Sequence, residues 1–163
     1  MRLAKSVIQQ GNNMLKVYAT ESSYIMQDRL RDRHFTVINS INDISDVHLI
    51  SCLNVLDRCI NPKSLLTDMY HALHPNGRIL LALVLPYSHY VEKNTHNLPV
   101  QPLLPHGPTC QSPPFEVESA AFFDELEKIG FKIESWTKAP YLCEGDLRQS
   151  FYFLTDVLVV VSK

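Results

Sequence analysis

The sequence predicts an α/β fold with a largely parallel sheet, and three features of its 163 residues predict it. Strand-like and helix-like stretches alternate through the first 85 residues, the pattern of right-handed crossover units. Two largely apolar runs, 47–53 and 79–85, are apolar enough for strands covered on both faces. The last two strand-like stretches, 131–137 and 151–161, have no helix between them, so an antiparallel hairpin closes one edge.

The elements follow in order. Residues 1–10 suit a helix with Leu3, Val7 and Ile8 on one side, stopped by Gly11-Asn12-Asn13. A strand spans 15–20. Ser22 or Ser23 caps the next helix, whose Ile25, Met26 and Leu30 should face inward. Residues 35–38 and 47–53 are strands, the second apolar enough for burial on both faces. Asn61-Pro62 opens a helix, Asn as its cap and Pro in its first turn, with Leu65, Leu66, Met69 and Leu73 as its stripe. Pro75-Asn76-Gly77 turns the chain into the strand 79–85. Residues 87–118 hold six prolines and no periodicity, a long irregular loop within an otherwise single domain. Ala120, Phe122, Phe123, Leu126 and Ile129 mark a helix ending at Gly130, and the hairpin follows with a polar loop between its strands.

Composition narrows the function. Apolar residues make up 45% and charged residues 20%, a globular balance, and the net charge of −2 argues against a non-specific nucleic-acid or membrane-surface binder. No apolar run approaches the roughly 20 residues of a spanning helix, and the first residues lack a secretory pattern. Cys52, Cys59, Cys110 and Cys143 show no CxxC spacing, so reduced thiols in an intracellular compartment are expected.

Four places carry chemistry-capable residues. Glu21 stands just past the strand 15–20, where ligands of open α/β sheets bind; it suits either the two hydroxyls of a ribose or the first turn of a helix. Asn54 and Asp57 follow the buried strand 47–53 and suit either the positioning of a nucleophile or an ordinary turn. His71 and His74, three apart on a helix, have no third ligand, so no metal site is expected. Tyr141-Leu142-Cys143-Glu144-Gly145-Asp146 between the final strands is either an acidic turn or a functional loop.

The order of these parts resembles a Rossmann-like class I S-adenosylmethionine-dependent methyltransferase. Tyr18-Ala19-Thr20-Glu21, the stretch from Ile50 through Asn54 and Asp57 to Cys59, Leu81-Ala82-Leu83-Val84-Leu85-Pro86, and Pro140-Tyr141 through Asp146 closely resemble the DREV family of protein-histidine N-pros-methyltransferases. The resemblance covers about residues 14–163. It implies S-adenosyl-L-methionine as cofactor and transfer to the Nδ1 atom of histidine in His-x-His segments of partner proteins. It further implies Glu21 as the ribose acid, Asn54 at the cofactor and target-histidine site, Asp57 on the substrate imidazole, and Tyr141 and Tyr152 lining cofactor and substrate. The endoplasmic reticulum and mitochondria are the compartments it suggests.

One departure stands out. Such enzymes open with a strand and an Asp-x-Gly-x-Gly-type loop, and neither precedes Tyr18. The chain is therefore expected to begin inside the first crossover helix, as an incomplete fold. Two facing rows of unpaired backbone groups would flank the absent strand, and cofactor binding would be weak. The competing function is an inactive interaction module that offers the Pro-rich loop to partners.

Overall fold

The computed structural model describes residues 5–11, 14–89, 91, 99–104 and 113–163, with backbone alone for 5–11 and 14–15. Seven strands form one sheet: β1 (Lys5–Gly11), β2 (Met14–Thr20), β3 (Thr36–Ile38), β4 (Val47–Leu53), β5 (Leu73–Leu85), β6 (Lys132–Glu144) and β7 (Phe151–Ser162). Their order is β3-β2-β1-β4-β5-β7-β6. The helices are α1 (Tyr24–Asp32), α2 (Pro62–Ala72) and α3 (Phe115–Ile129), with a short 3₁₀ turn at Ile41–Asp43.

The N-terminal residues correct the expected helix. Residues 5–11 form β1, which pairs antiparallel with β2 on one side and with β4 on the other. It takes the slot between those two strands in which the parallel strand was expected to be missing. Backbone pairing decides this: a strand there satisfies groups on two neighbours at once, whereas a helix would satisfy only its own. Because β1 is antiparallel to both neighbours, β2 and β4 run parallel to each other, and so do β2 with β3 and β4 with β5. Among the described residues no helix stands between β1 and β2. Of the expected helix stop, Asn12 and Asn13 lie outside the described residues.

The core lies on one face of the sheet. Ile50, Cys52, Ile79, Leu81, Leu83, Val157, Val159 and Val161 meet Leu66 and Met69 of α2 and Phe122 and Leu126 of α3. The opposite face is less covered: Leu49, expected to be buried, is 39% exposed in the middle of β4. α1 likewise buries no residue, and Ile25 and Met26 face outward, against expectation.

α2 begins as expected, with the Asn61 side chain accepting from the Ser64 N–H and Pro62 in the first turn. It ends at Ala72, so His74 belongs to β5, not to the helix; its ring stacks on His48 at 4.4 Å. α3 starts at Phe115, five residues before the expected Ala120, and stops where Gly130 takes φ 112°, a conformation costly for any residue with a Cβ. Its early start places Glu116 and Glu118 in the first turn, where the helix dipole favours acids.

The closing hairpin is antiparallel, as expected, but longer. β6 runs on to Glu144, so Tyr141 and Cys143 are strand residues rather than loop residues. Pro140 is tolerated because β6 is an edge strand. The tip closes through hydrogen bonds from Gly145 N to Ser150 O and from Asp146 N to Gln149 O, each 2.9 Å. Only glycine fits at 145, since a Cβ there would meet Gln149 O at 1.7 Å.

Candidate functional site

The carboxyl ends of β2, β4, β5 and β6 share one edge of the sheet, and β7 begins there. β5 ends at Leu85 opposite Thr155, while β6 and β7 stay paired out to Glu144 and Phe151. The ribbon therefore overhangs the edge by about 13 Å at the usual rise of a strand.

Asn54 leaves the end of β4 with φ 51°, a left-handed conformation that asparagine accepts more readily than most residues. Its N–H donates to Ala82 O of β5 at 3.0 Å. Its side-chain nitrogen reaches across β5 and donates to Asp156 Oδ2 of β7 at 2.9 Å. Three residues on, Asp57 is 6% exposed, and its Oδ2 accepts from Arg58 Nε at 3.1 Å. Burial raises the Asp57 carboxyl above its ordinary value, and the Arg58 guanidinium opposes that rise.

Asp156 is a member of this cluster that sequence reasoning missed. It is 5% exposed, and burial also raises its carboxyl, opposed by the Asn54 hydrogen bond and reinforced by the Asp57 charge. Its signal was in plain view: it is the one acid in the otherwise apolar and hydroxyl-bearing strand Phe151–Ser162. Asn54 Oδ1, Asp57 Oδ1 and Asp156 Oδ1 are all buried without a hydrogen-bond partner among the described residues.

The hairpin adds tyrosines. Register puts Tyr152, Leu154 and Asp156 of β7 on one face with Ala139, Tyr141 and Cys143 of β6. Burial pushes the Tyr141 phenol up, with Cys143 and Asp156 adding to the effect and the Asn54 amide opposing it. Tyr152 lies farther along the ribbon; its phenol is pushed up by burial and then by a hydrogen bond to Asp146.

A cavity of about 440 Å³ opens beside this cluster, lined by Asp57 and Arg58, by Leu85 and Pro86, and by Phe153 and Thr155 among others. Its size is that of an ordinary small-ligand site. Tyr87 also stands near Asp57; burial raises its phenol first and the Asp57 charge contributes, and its hydroxyl bonds His89 Nδ1 at 2.9 Å. His89 is buried at the start of the Pro-rich loop, a placement that the sequence did not disclose. Most of that loop, with Cys110, lies outside the described residues.

Glu21 follows β2 on the same edge, two strands from β4 and so about 10 Å away across the sheet. Its Oε1 accepts from Ser22 N at 2.7 Å and Ser23 N at 2.8 Å, so it caps the start of α1, where the Ser23 side chain makes no cap. Neither Glu21 nor Asn54 lines the cavity. No group of three metal-binding side chains occurs among the described residues, and no described helix is long and apolar enough to cross a membrane.

This arrangement suits a ligand that donates hydrogen bonds, because Asn54, Asp57 and Asp156 each hold a buried acceptor atom with no partner among the described residues. It also offers a carboxylate, Glu21, to a diol on the same edge. The centre of that edge is taken by the Lys5 end of β1, paired with Thr20, with no glycine-rich loop beside it.

Known proteins agree with this architecture. The family described as DREV methyltransferase matches residues 4–163. Among solved structures, a TehB-like SAM-dependent methyltransferase from Corynebacterium glutamicum is 14% identical with a TM-score of 0.53, covering 90% of this chain and 67% of that one. A SAM-dependent methyltransferase from Thermotoga maritima, described as a possible histamine N-methyltransferase, is 14% identical with a TM-score of 0.52, covering 90% and 72%. A methyltransferase-like protein from Bacillus halodurans is 12% identical with a TM-score of 0.54, covering 88% and 81%. At these identities the structures speak for the fold alone, a class I methyltransferase sheet.

Proposed function

We propose, from the premise that the chain belongs to the DREV methyltransferase family, that its site transfers a methyl group from S-adenosyl-L-methionine to the Nδ1 atom of histidine in His-x-His segments of partner proteins. The observation that carries this reading is the pair of buried acceptors Asn54 Oδ1 and Asp57 Oδ1, unmatched among the described residues, with Asp57 lining the cavity. An imidazole is a nucleophile at one nitrogen and a hydrogen-bond donor at the other, so it answers an acceptor of this kind.

When bound, the cofactor supplies a methyl group on a sulfonium. Glu21 and Asn54 are the residues that would hold it, Glu21 at the ribose and Asn54 near the positive centre, with Tyr141 beside them. Asp57 accepts the N–H of the target ring, which fixes the tautomer and aims the lone pair of the other nitrogen. Transfer would break the methyl–sulfur bond, release a neutral thioether and leave the ring cationic, a charge that the Asp57 carboxylate would stabilise in a water-poor setting. Arg58, bonded to the other Asp57 oxygen, sets the carboxylate's orientation. The N–H proton then leaves the ring toward Asp57 or solvent. Tyr152 and Phe153 on the overhanging ribbon border the peptide's approach. Positioning within about 3–3.5 Å accounts for most of the rate in such a displacement.

The test is incubation with a His-x-His peptide and methyl-deuterated S-adenosylmethionine, followed by mass spectrometry and NMR location of the label. Label on Nδ1 is expected; label on another residue type removes the histidine assignment. A second reading, binding without transfer, is favoured by one observation: β1 stands at the centre of the edge without a glycine-rich loop. It predicts peptide binding and no labelled product.

A further inference from the structure

We propose that Asp156 is a positioning residue whose task is to hold the Asn54 amide with its nitrogen toward β7, so that its oxygen, and not its nitrogen, is the atom left to answer a ligand. A primary amide has one accepting and one donating end, and rotation by half a turn exchanges them. A carboxylate can only accept, so the Asp156 Oδ2 at 2.9 Å captures the Asn54 nitrogen. The oxygen must then point away, and it is the buried Oδ1 that has no partner among the described residues. The Asn54 backbone is fixed independently by its bond to Ala82 O, so the side chain is the free variable. An amide turned the other way would set a donor against a donor of the incoming ligand, and a buried mismatch of that kind is costly. The carboxylate reaches Asn54 from β7, the strand that also carries Tyr152, so one element sets the amide and borders the peptide path.

This inference rests on the imidazole reading above for the identity of the ligand, but not for the orientation of the amide. Asp156→Asn keeps the shape and lets the amide of Asn54 face either way. The exchange Asn54→Asp with Asp156→Asn restores a single orientation: the new amide on β7 donates to the new carboxylate at 54, whose other oxygen is again the free acceptor. Aspartate tolerates the left-handed backbone that this position adopts.

Three readouts are used on the full chain: titration calorimetry with a His-x-His peptide, the kcat and KM of methyl transfer, and the side-chain amide NMR signal of Asn54 without ligand. Asp156→Asn is expected to weaken peptide affinity and raise KM about 10- to 100-fold, and to abolish the downfield position of the Asn54 amide proton. The double exchange is expected to recover affinity to within about threefold of wild type. Peptide affinity unchanged by Asp156→Asn overturns the proposal, and so does a folded double exchange that recovers nothing. If Asp156→Asn does not fold, the double exchange decides alone by the same criterion. If the wild-type chain binds no imidazole peptide, the functional reading fails, while the NMR signal still shows whether Asp156 orients the amide.

Discussion

Asn54 and Asp156, 102 residues apart in sequence, are joined by a side-chain hydrogen bond of 2.9 Å that ties the end of β4 to β7 across the intervening strand. The bond fixes one corner of an acidic cluster whose other corner is Asp57. Each of the three residues keeps one buried oxygen unmatched among the described residues, and a protein pays for such atoms only where a ligand or a solvent molecule answers them.

Asp57→Ala is expected to lower kcat for methyl transfer by about 10²- to 10³-fold, the usual cost of removing one group that stabilises developing charge. Cofactor affinity should stay within a few-fold, since the role proposed for Asp57 is at the target ring. Mass spectrometry of the peptide product and calorimetry with S-adenosylmethionine check the two halves. Equal losses in both would move Asp57 from the substrate to the cofactor.

Asp57→Asn should at the same time raise thermal stability at neutral pH. Burial raises the Asp57 carboxyl in the folded chain above its ordinary value, so the folded state holds its proton more tightly than the unfolded one. An acid shifted this way contributes most to stability at low pH, and that contribution is lost as pH rises through the folded value. The stability gain of the variant should therefore shrink as pH falls and vanish below about 3.8, where both states carry the proton. Melting curves of both proteins across this range decide it; a gap that widens in acid contradicts the assignment.

Glu125 provides the opposite sign. It pairs with Lys63 of α2 and Lys128 of its own helix, and those hydrogen bonds hold its carboxyl below the usual value. Its contribution is present above the unfolded value of 4.5 and lost as pH falls through the lower folded one. Glu125→Gln should cost about 0.5–1 kcal/mol at pH 7, less at high salt, and nothing in strong acid. Urea titrations at two ionic strengths check this, and a salt-independent cost would mean packing rather than charge.

Glu21→Gln should weaken cofactor binding about 10- to 100-fold, the range for a charged acceptor lost from a ligand hydroxyl, and leave peptide binding unchanged. Because Glu21 also caps α1, circular dichroism must show the helix retained. Cofactor affinity that does not move would leave Glu21 as a cap alone.

Much of this site was legible in the sequence where a single local signal sufficed. Asn61-Pro62 announced α2, and the apolar run 47–53 announced β4 to the residue. Asn54 and Asp57 stood out because polar residues directly follow that buried strand. What was not legible depended on partners distant in the chain. Residues 5–11 carry no decisive period, and two flanking strands with open backbone groups make them a strand. Tyr141 was expected in the polar loop after the strand 131–137, and the edge position of β6 lets the strand continue through Pro140. Asp156 acquires meaning only through Asn54, a relation that spacing along the chain does not display.

The most direct measurement is a crystal structure of the chain with S-adenosylhomocysteine and a His-x-His peptide. A ring N–H nitrogen of the target histidine is expected about 2.6–3.2 Å from Asp57 Oδ1, with the other ring nitrogen directed at the cofactor sulfur. A peptide whose imidazole is seated away from Asp57, with Asp57 Oδ1 answered by solvent instead, would contradict it.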